Sequence, residues 1–198
     1  MHNPRSLASS IAPACALLIA WAVPLLSCAT KAPDASAPAW TLSSAGTKPL
    51  SLKSTKATEK HDPAWASCHQ SFKPKDVSVE ADVSAMAKGC EGVTKMKLVG
   101  DTLVSTAEAA QQHRQRFPLK AEAGKCYRVY ASSAATVGDL DVVLKDSAGG
   151  IVGEDATDDP SPVLLEDGAL CFTEADAARL VVTIGVGTGS YALQIWSD

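Results

Sequence analysis

Cys68-His69, inside W-A-S-C-H-Q-S-F (Trp65–Phe72), has the ending of a C-x-x-C-H haem-attachment site. In that motif two thiols add to the haem vinyls and the histidine ligates iron. Trp65 stands where the first thiol belongs, so only one thioether would form, with Met86 or Met96 as the distal ligand. The competing reading makes Cys68 half of a disulfide and His69 a surface or capping residue. The cysteine count favours the second. A haem on Cys68 would leave Cys90 without a partner once Cys126 and Cys171 pair, whereas two disulfides use all four thiols.

Other chemistry-bearing residues are sparse. The four histidines are His2, His61, His69 and His113, and no H-E-x-x-H, C-x-x-C or close histidine pair occurs, which argues against zinc. Carboxylates do gather: Asp139 and Asp141 flank one residue, and Glu154, Asp155, Asp158 and Asp159 crowd G-E-D-A-T-D-D-P. Hard oxygens of this kind suit Ca²⁺, with Asp139, Asp141, Asp155 and Asp158 as the ligand set, though no EF-hand pattern accompanies them. No other cofactor is expected. G-V-G-T-G (Gly185–Gly189) is followed by a strand pattern where a dinucleotide loop needs a helix, and reads as a hairpin turn. G-T-G-S-Y is not G-x-S-x-G, so Ser190 has no nucleophile elbow. With no catalytic set, the expectation is a protein that is not an enzyme.

The compartment follows from the first 28 residues. Arg5 precedes Ile11–Leu26, a run of 16 residues that is apolar throughout and interrupted by Pro13 and Pro24. A membrane span needs about 20 residues, and this length suits a signal-peptide core. The run ends in Leu25-Leu26-Ser27-Cys28, which resembles a bacterial lipobox. That resemblance implies cleavage of residues 1–27, acylation of Cys28, and a membrane partner reached through the lipid. Ala29 follows in place of an Asp retention signal, so the expected location is the bacterial cell envelope, at the outer membrane. Cys15 leaves with the signal. In an oxidising compartment Cys68, Cys90, Cys126 and Cys171 read as two disulfides. Three pairings are open, and locality favours Cys68–Cys90 and Cys126–Cys171.

The elements that must position these residues follow a plain order. Residues 28–62, rich in Ala, Pro, Ser, Thr and Lys without apolar periodicity, read as a disordered lipidated tether. Residues 63–96 read as a small helical segment. Asp76 or Ser78 caps a helix that places Val79, Val83, Met86 and Cys90 on one face, with Gly89 or Gly92 as stops. Residues 97–198 read as a β-sandwich, clearest from 117. Its strands are Arg116–Ala121, Cys126–Ser132, Leu140–Lys145, Ile151–Glu154, Ala169–Thr173, Leu180–Val186 and Ser190–Trp196. Met96–Val104 adds another strand, and T-A-E-A-A-Q-Q-H-R (Thr106–Arg114) has helical composition.

Three stretches carry a resemblance: F-P-L-K-A-E-A-G-K-C-Y-R-V (Phe117–Val129), G-D-L-D-V-V-L-K-D-S-A-G-G (Gly138–Gly150) and G-T-G-S-Y-A-L-Q-I-W (Gly187–Trp196). They resemble, in order and spacing, the bacterial pre-peptidase C-terminal domain. That likeness implies a mainly β fold, an antiparallel jelly-roll-like sandwich, here preceded by a disulfide-stapled helical segment and a tether. Such domains usually follow a secreted peptidase, and this chain contains none. Cys126 and Cys171 would bridge the sandwich.

Charge excludes one class of partner. Residues 120–198 carry five bases against thirteen acids, the reverse of a nucleic-acid footprint. The expected function is a non-catalytic, lipid-anchored envelope protein whose sandwich binds an envelope protein, a peptide or a glycan. A single-cysteine haem or other redox protein is the first alternative. A peptidase accessory or inhibitor is the second.

Overall fold

A computed structural model of the chain describes residues 52–75, 78–108, 114–155 and 157–198. The strands are β1 (Ala57–His61), β2 (Lys97–Leu98), β3 (Leu103–Glu108), β4 (Arg114–Ala121), β5 (Cys126–Ser133), β6 (Val137–Lys145), β7 (Ile151–Glu154), β8 (Val163–Leu164), β9 (Gly168–Phe172) and β10 (Asp176–Ser197). The helices are α1 (Pro63–Gln70) and α2 (Val79–Thr94). Alternation along β5, β6 and β10 turns Tyr127, Val129, Leu140, Val142, Leu144, Leu180, Val182, Ile184, Tyr191, Leu193 and Ile195 into one buried core. The fold is mainly β and antiparallel, as the sequence implies, and it approaches a closed barrel.

One strand organises it. The first half of β10 lies between β4 and β6, with β7 beyond, and forms one sheet. Its second half lies between β3 and β5, with β9 and β1 beyond, and forms the other. The crossing falls at Gly185–Gly189, so this glycine run is not the expected hairpin turn: the strand continues through it with bulges. The reason is clearance. Gly187 has φ +94°, and a Cβ there would collide with the Thr136 carbonyl oxygen of the β5–β6 turn.

The opposite side is closed by a segment expected to be tether. The Ser54 amide donates to the Ile151 carbonyl at 2.7 Å and the Ile151 amide to the Leu52 carbonyl at 2.9 Å, along β7. The chain then crosses to pair β1 with β9, Thr58 opposite Cys171. Residues 52–62 therefore belong to the fold, and the remainder of the tether expectation lies outside the described residues. Composition hides β1 because four of its five side chains face solvent.

The helical segment appears where the spacing places it. Ser78 caps α2, its Oγ accepting from the Ala81 amide at 3.1 Å. Val83, Met86 and Cys90 are buried on one face, with Val79 packed beside them. Neither Gly89 nor Gly92 stops the helix, which runs to Thr94 and ends at Lys95 in the left-handed conformation, φ 60°. The T-A-E part of the expected helix at 106–114 is instead the end of β3, where pairing with Thr188–Ser190 overrides helical propensity. Arg114 begins β4, and 109–113 lie outside the described residues.

Both helices lie on the outer face of the β5 sheet. Trp65, Met86, Ala87 and Cys90 pack with Tyr130, Val163, Ala169, Ala192 and Trp196. This second core explains why all eight residues of β5 are buried: one face meets the sandwich interior, the other the helices. Helices and sheets share one compact unit.

Candidate functional site

The Cys68-His69 pair sits at the last turn of α1. Asp62 caps that helix through a 3.0 Å bond from the Ala64 amide, with Pro63 at the first helical position. Cys68 is bonded to Cys90, with 5.0 Å between Cα atoms. Its sulfur is thereby engaged, and the thioether reading has no thiol to use. Cys68, His69 and Cys90 are the only described residues whose His, Cys or carboxylate ligand atoms gather in threes within 4.8 Å, and the disulfide accounts for that grouping.

Below His69 lies a group that sequence reasoning missed. Arg128, midway along β5, is fully buried with no carboxylate bonded to it among the described residues. Its guanidinium donates to the carbonyls of Gly168 (2.8 Å), Trp65 (3.1 Å) and Glu166 (2.5 Å). It also stacks against Trp65 and Tyr130, 5.8 and 5.4 Å from the ring centroids, while Nε finds no acceptor. Burial lowers its pKa. One cation thus ties α1, the β8–β9 turn and β5 together. The signal was present: Arg128 shares its strand face with Cys126 and Tyr130, an apolar pattern broken by one base.

His69 is half-buried rather than at the surface, its Nδ1 3.2 Å from both Arg128 Nη2 and the Trp65 carbonyl. Burial and the adjacent guanidinium hold the ring below its ordinary pKa. The two contacts exclude one another: with the proton on Nε2 the neutral ring accepts from Arg128 at Nδ1, whereas a protonated Nδ1 would donate to the Trp65 carbonyl instead. Trp65 and Trp196 are 5% and 4% exposed, so neither offers a stacking platform for a sugar.

The second disulfide, Cys126–Cys171, joins directly opposed residues of β5 and β9, 3.8 Å between Cα atoms. It lies within one sheet and does not cross the sandwich. Both local pairings are those favoured by proximity in sequence. Cys28, the expected lipidation site, lies outside the described residues.

The acids form a corner at one end of β6. Burial, then the charges of Asp141, Asp158 and Asp159, raise the pKa of Asp139. Burial and Asp158 raise Asp141. Burial raises Asp155 against the two Thr157 hydrogen bonds, with Asp159 and Asp141 adding to the rise. Asp139 Oδ1 and Asp155 Oδ2 are buried without hydrogen-bond partners. The structure therefore brings the calcium candidates Asp139, Asp141, Asp155 and Asp158 to one region. It does not gather three of their oxygens within 4.8 Å of one another, so they are neighbours rather than a ligand set.

A groove of about 420 Å³ opens between the start of α2, β3 and the β5–β6 turn. Three serines line it, each engaged: Ser78 caps α2, Ser133 donates to the Pro160 carbonyl at 2.8 Å, and Ser190 meets Thr106 at 3.2 Å. Neither histidine nor cysteine lines it. Its ionisable residues are Glu80 and Asp82, and Asp82 accepts from the Lys75 amide at 3.0 Å. Among the described residues, none of these serines is hydrogen-bonded to a histidine, a lysine or a carboxylate.

No protein-family model and no curated protein matches the chain. Among solved structures it is similar to Aeromonas hydrophila PliG, a periplasmic lysozyme inhibitor of g-type lysozyme, at 10% identity and a TM-score of 0.36. The match covers 50% of this chain and 85% of that one. At that level of likeness the inhibition belongs to the neighbour and assigns nothing here.

Proposed function

We propose that the chain is a lipid-anchored bacterial envelope protein whose disulfide-stapled β-sandwich serves as a non-catalytic binding module. The observation that carries the reading is the pairing of the cysteines. Once Cys68–Cys90 and Cys126–Cys171 form, the one thiol left after signal cleavage is Cys28, the residue the lipobox would acylate. Two disulfides belong to an oxidising compartment, and several acyl chains hold a protein on a membrane at about 0.8 kcal/mol per buried CH₂. Ala29 favours the outer membrane, and the resemblance to pre-peptidase C-terminal domains fits a sandwich used as an accessory module. The engaged serines of the groove agree with binding rather than catalysis.

Labelled palmitate and fractionation test the anchor. Wild-type chain is expected to take up label and sediment with membranes, and Cys28→Ser to lose both. A Cys28→Ser chain that still incorporates palmitate would sink the proposal.

A further inference from the structure

The outer face of the β4–β10–β6–β7 sheet differs from that of the other sheet: α1 and α2 cover the latter, and no described element covers the former. Register fixes what this bare face displays. Residues opposite one another in a ladder share a face, and so do alternate residues along a strand. Arg114 lies opposite Thr183, which lies opposite Asp141. Arg116 lies opposite Val181, which meets Val143, which meets Glu154. Pro118 lies opposite Arg179, which meets Lys145, and Lys120 lies opposite Ala177. All of these side chains are exposed or half-buried, while the intervening Leu119, Leu180, Val182, Val142 and Leu144 fill the core.

The face is divided by sign. Arg114, Arg116, Lys120, Arg179 and Lys145 occupy the β4 side and the lower rows, and none takes part in a salt bridge among the described residues. Three of these five are among the mere five bases of residues 120–198. Asp139, Asp141 and Glu154 occupy the β6–β7 side and the upper rows, beside Asp155, Asp158 and Asp159. Val143 and Val181 lie between the two fields. Edge protection explains charges and a proline on β4, which is an edge strand, but not Arg179 or Lys145, which sit on interior strands.

We infer that this face is the contact of a homodimer, a second copy of the chain docking sheet to sheet so that each basic side meets the partner's acidic side. A twofold axis lying in the interface, along the diagonal that divides the fields, exchanges them and brings the Val143–Val181 strips together. A two-signed face is self-complementary under such rotation, as an isologous interface requires. A uniformly anionic membrane or polymer would complement the cations and repel the acids of the same flat face. Docking also supplies cations to carboxylates whose neighbours within the chain include only like charges. Three strands of about eight residues and the four residues of β7, about 4.8 Å apart with about 3.3 Å per residue, give a footprint of about 440 Å² per chain, so two copies bury about 900 Å², the size of a weak, reversible association.

Sedimentation of the full-length chain, in density-matched detergent so that bound detergent does not contribute to the buoyant mass, tests this independently of the anchor. At about 50 µM and about 0.05 M salt the mass of two chains is expected, with dissociation promoted at about 0.5 M salt by screening. Arg114→Glu/Arg116→Glu and Asp141→Lys/Asp158→Lys should each weaken self-association at least about tenfold. Mixing the two should restore a mixed dimer, because both contacts become attractive again. Far-UV spectra of each variant establish that it is folded. A monomer at every concentration, reversed variants that dimerise like wild type, or a mixture that fails to re-associate would each overturn the inference.

Discussion

At the scale of single residues, the two informative groups are those whose charge the fold leaves short of a partner. Arg128 donates to three backbone carbonyls, each of which would lose its donor in Arg128→Met. Methionine fills the space, so the expected cost is about 1–3 kcal/mol, set by buried acceptors left unpaired rather than by a cavity. Removing the guanidinium also removes one of the two causes that depress His69, so an NMR titration should show its pKa rising toward the ordinary value. An unchanged His69 titration would place the depression in burial alone. Asp139 works in the opposite sense. Its folded pKa is raised, so the native state binds protons that the unfolded chain has lost, and its contribution is largest at low pH and vanishes as pH climbs through the folded value. Asp139→Asn should therefore stabilise the protein at neutral pH and remove part of that dependence. Asp176 opposes it: burial acts to raise its pKa, but hydrogen bonds from Lys56 and Ser147 hold it below the ordinary value, and its stabilisation is lost on acidification. The difference between wild type and Asp139→Asn across pH, by urea midpoint, isolates the first effect.

At the scale of elements, the cysteine pairs were legible because each closes within one stretch of similar pattern, and α2 was legible from four residues on one face. Strands buried on one side were legible too, since alternation along β6 and β10 writes the core into the sequence. Legibility failed where pairing overruled local composition, as in T-A-E of β3, or where a strand carries almost no buried side chain, as in β1. It failed again at Gly185–Gly189, because a glycine run marks close approach as readily as a turn. The packing of helices on β5 was hidden for a related reason: only the structure shows that both faces of β5 are covered. This changes what the helical disulfide should do. In the loop-entropy account, closing 22 residues contributes about 3 kcal/mol and closing 45 about 4 kcal/mol. Were the helices a separate unit, Cys68→Ala/Cys90→Ala would loosen them alone. Because Trp65 of α1 and Trp196 of β10 share one core, both that variant and Cys126→Ala/Cys171→Ala should instead unfold in a single transition. Tryptophan fluorescence and far-UV circular dichroism should coincide through the urea range, and an early helical phase would show the coupling to be weak.

At the scale of the whole molecule, the fold is a sheet system drawn nearly into a ring, with β10 joining the two sheets on one side and residues 52–61 joining them on the other. The candidate site was legible only in its cysteines. The buried cation and the two-signed sheet face arise from register, which brings residues distant in sequence onto one surface. The closure on the 52–61 side depends on weak individual parts: a short ladder to β9, the bridge to β7, and the Lys56–Asp176 ion pair at 2.7 Å with Ser147 donating to the same carboxylate. Ladder parity identifies where it is vulnerable. The Thr173 amide donates to the Lys56 carbonyl, which makes Lys56 opposite Thr173 a hydrogen-bonded pair and, two residues on, Thr58 opposite Cys171 another. Thr58→Pro removes that amide from the middle of the strand, while the side chain it replaces packs against little. A tether would tolerate the change without loss. A strand that closes the sandwich should lose about 1–3 kcal/mol, the cost of a ladder hydrogen bond removed with its acceptor left unpaired. It should also open the β1 side of β9 to exchange, so that amide protons of Ala169 and Cys171, which face β1, become less protected in hydrogen–deuterium exchange than those of Val142 and Leu144 in β6, while Phe172, whose amide donates to the Lys125 carbonyl just before β5, stays protected. Equal protection in both strands, with an unchanged urea midpoint, would show that the ring is held without β1.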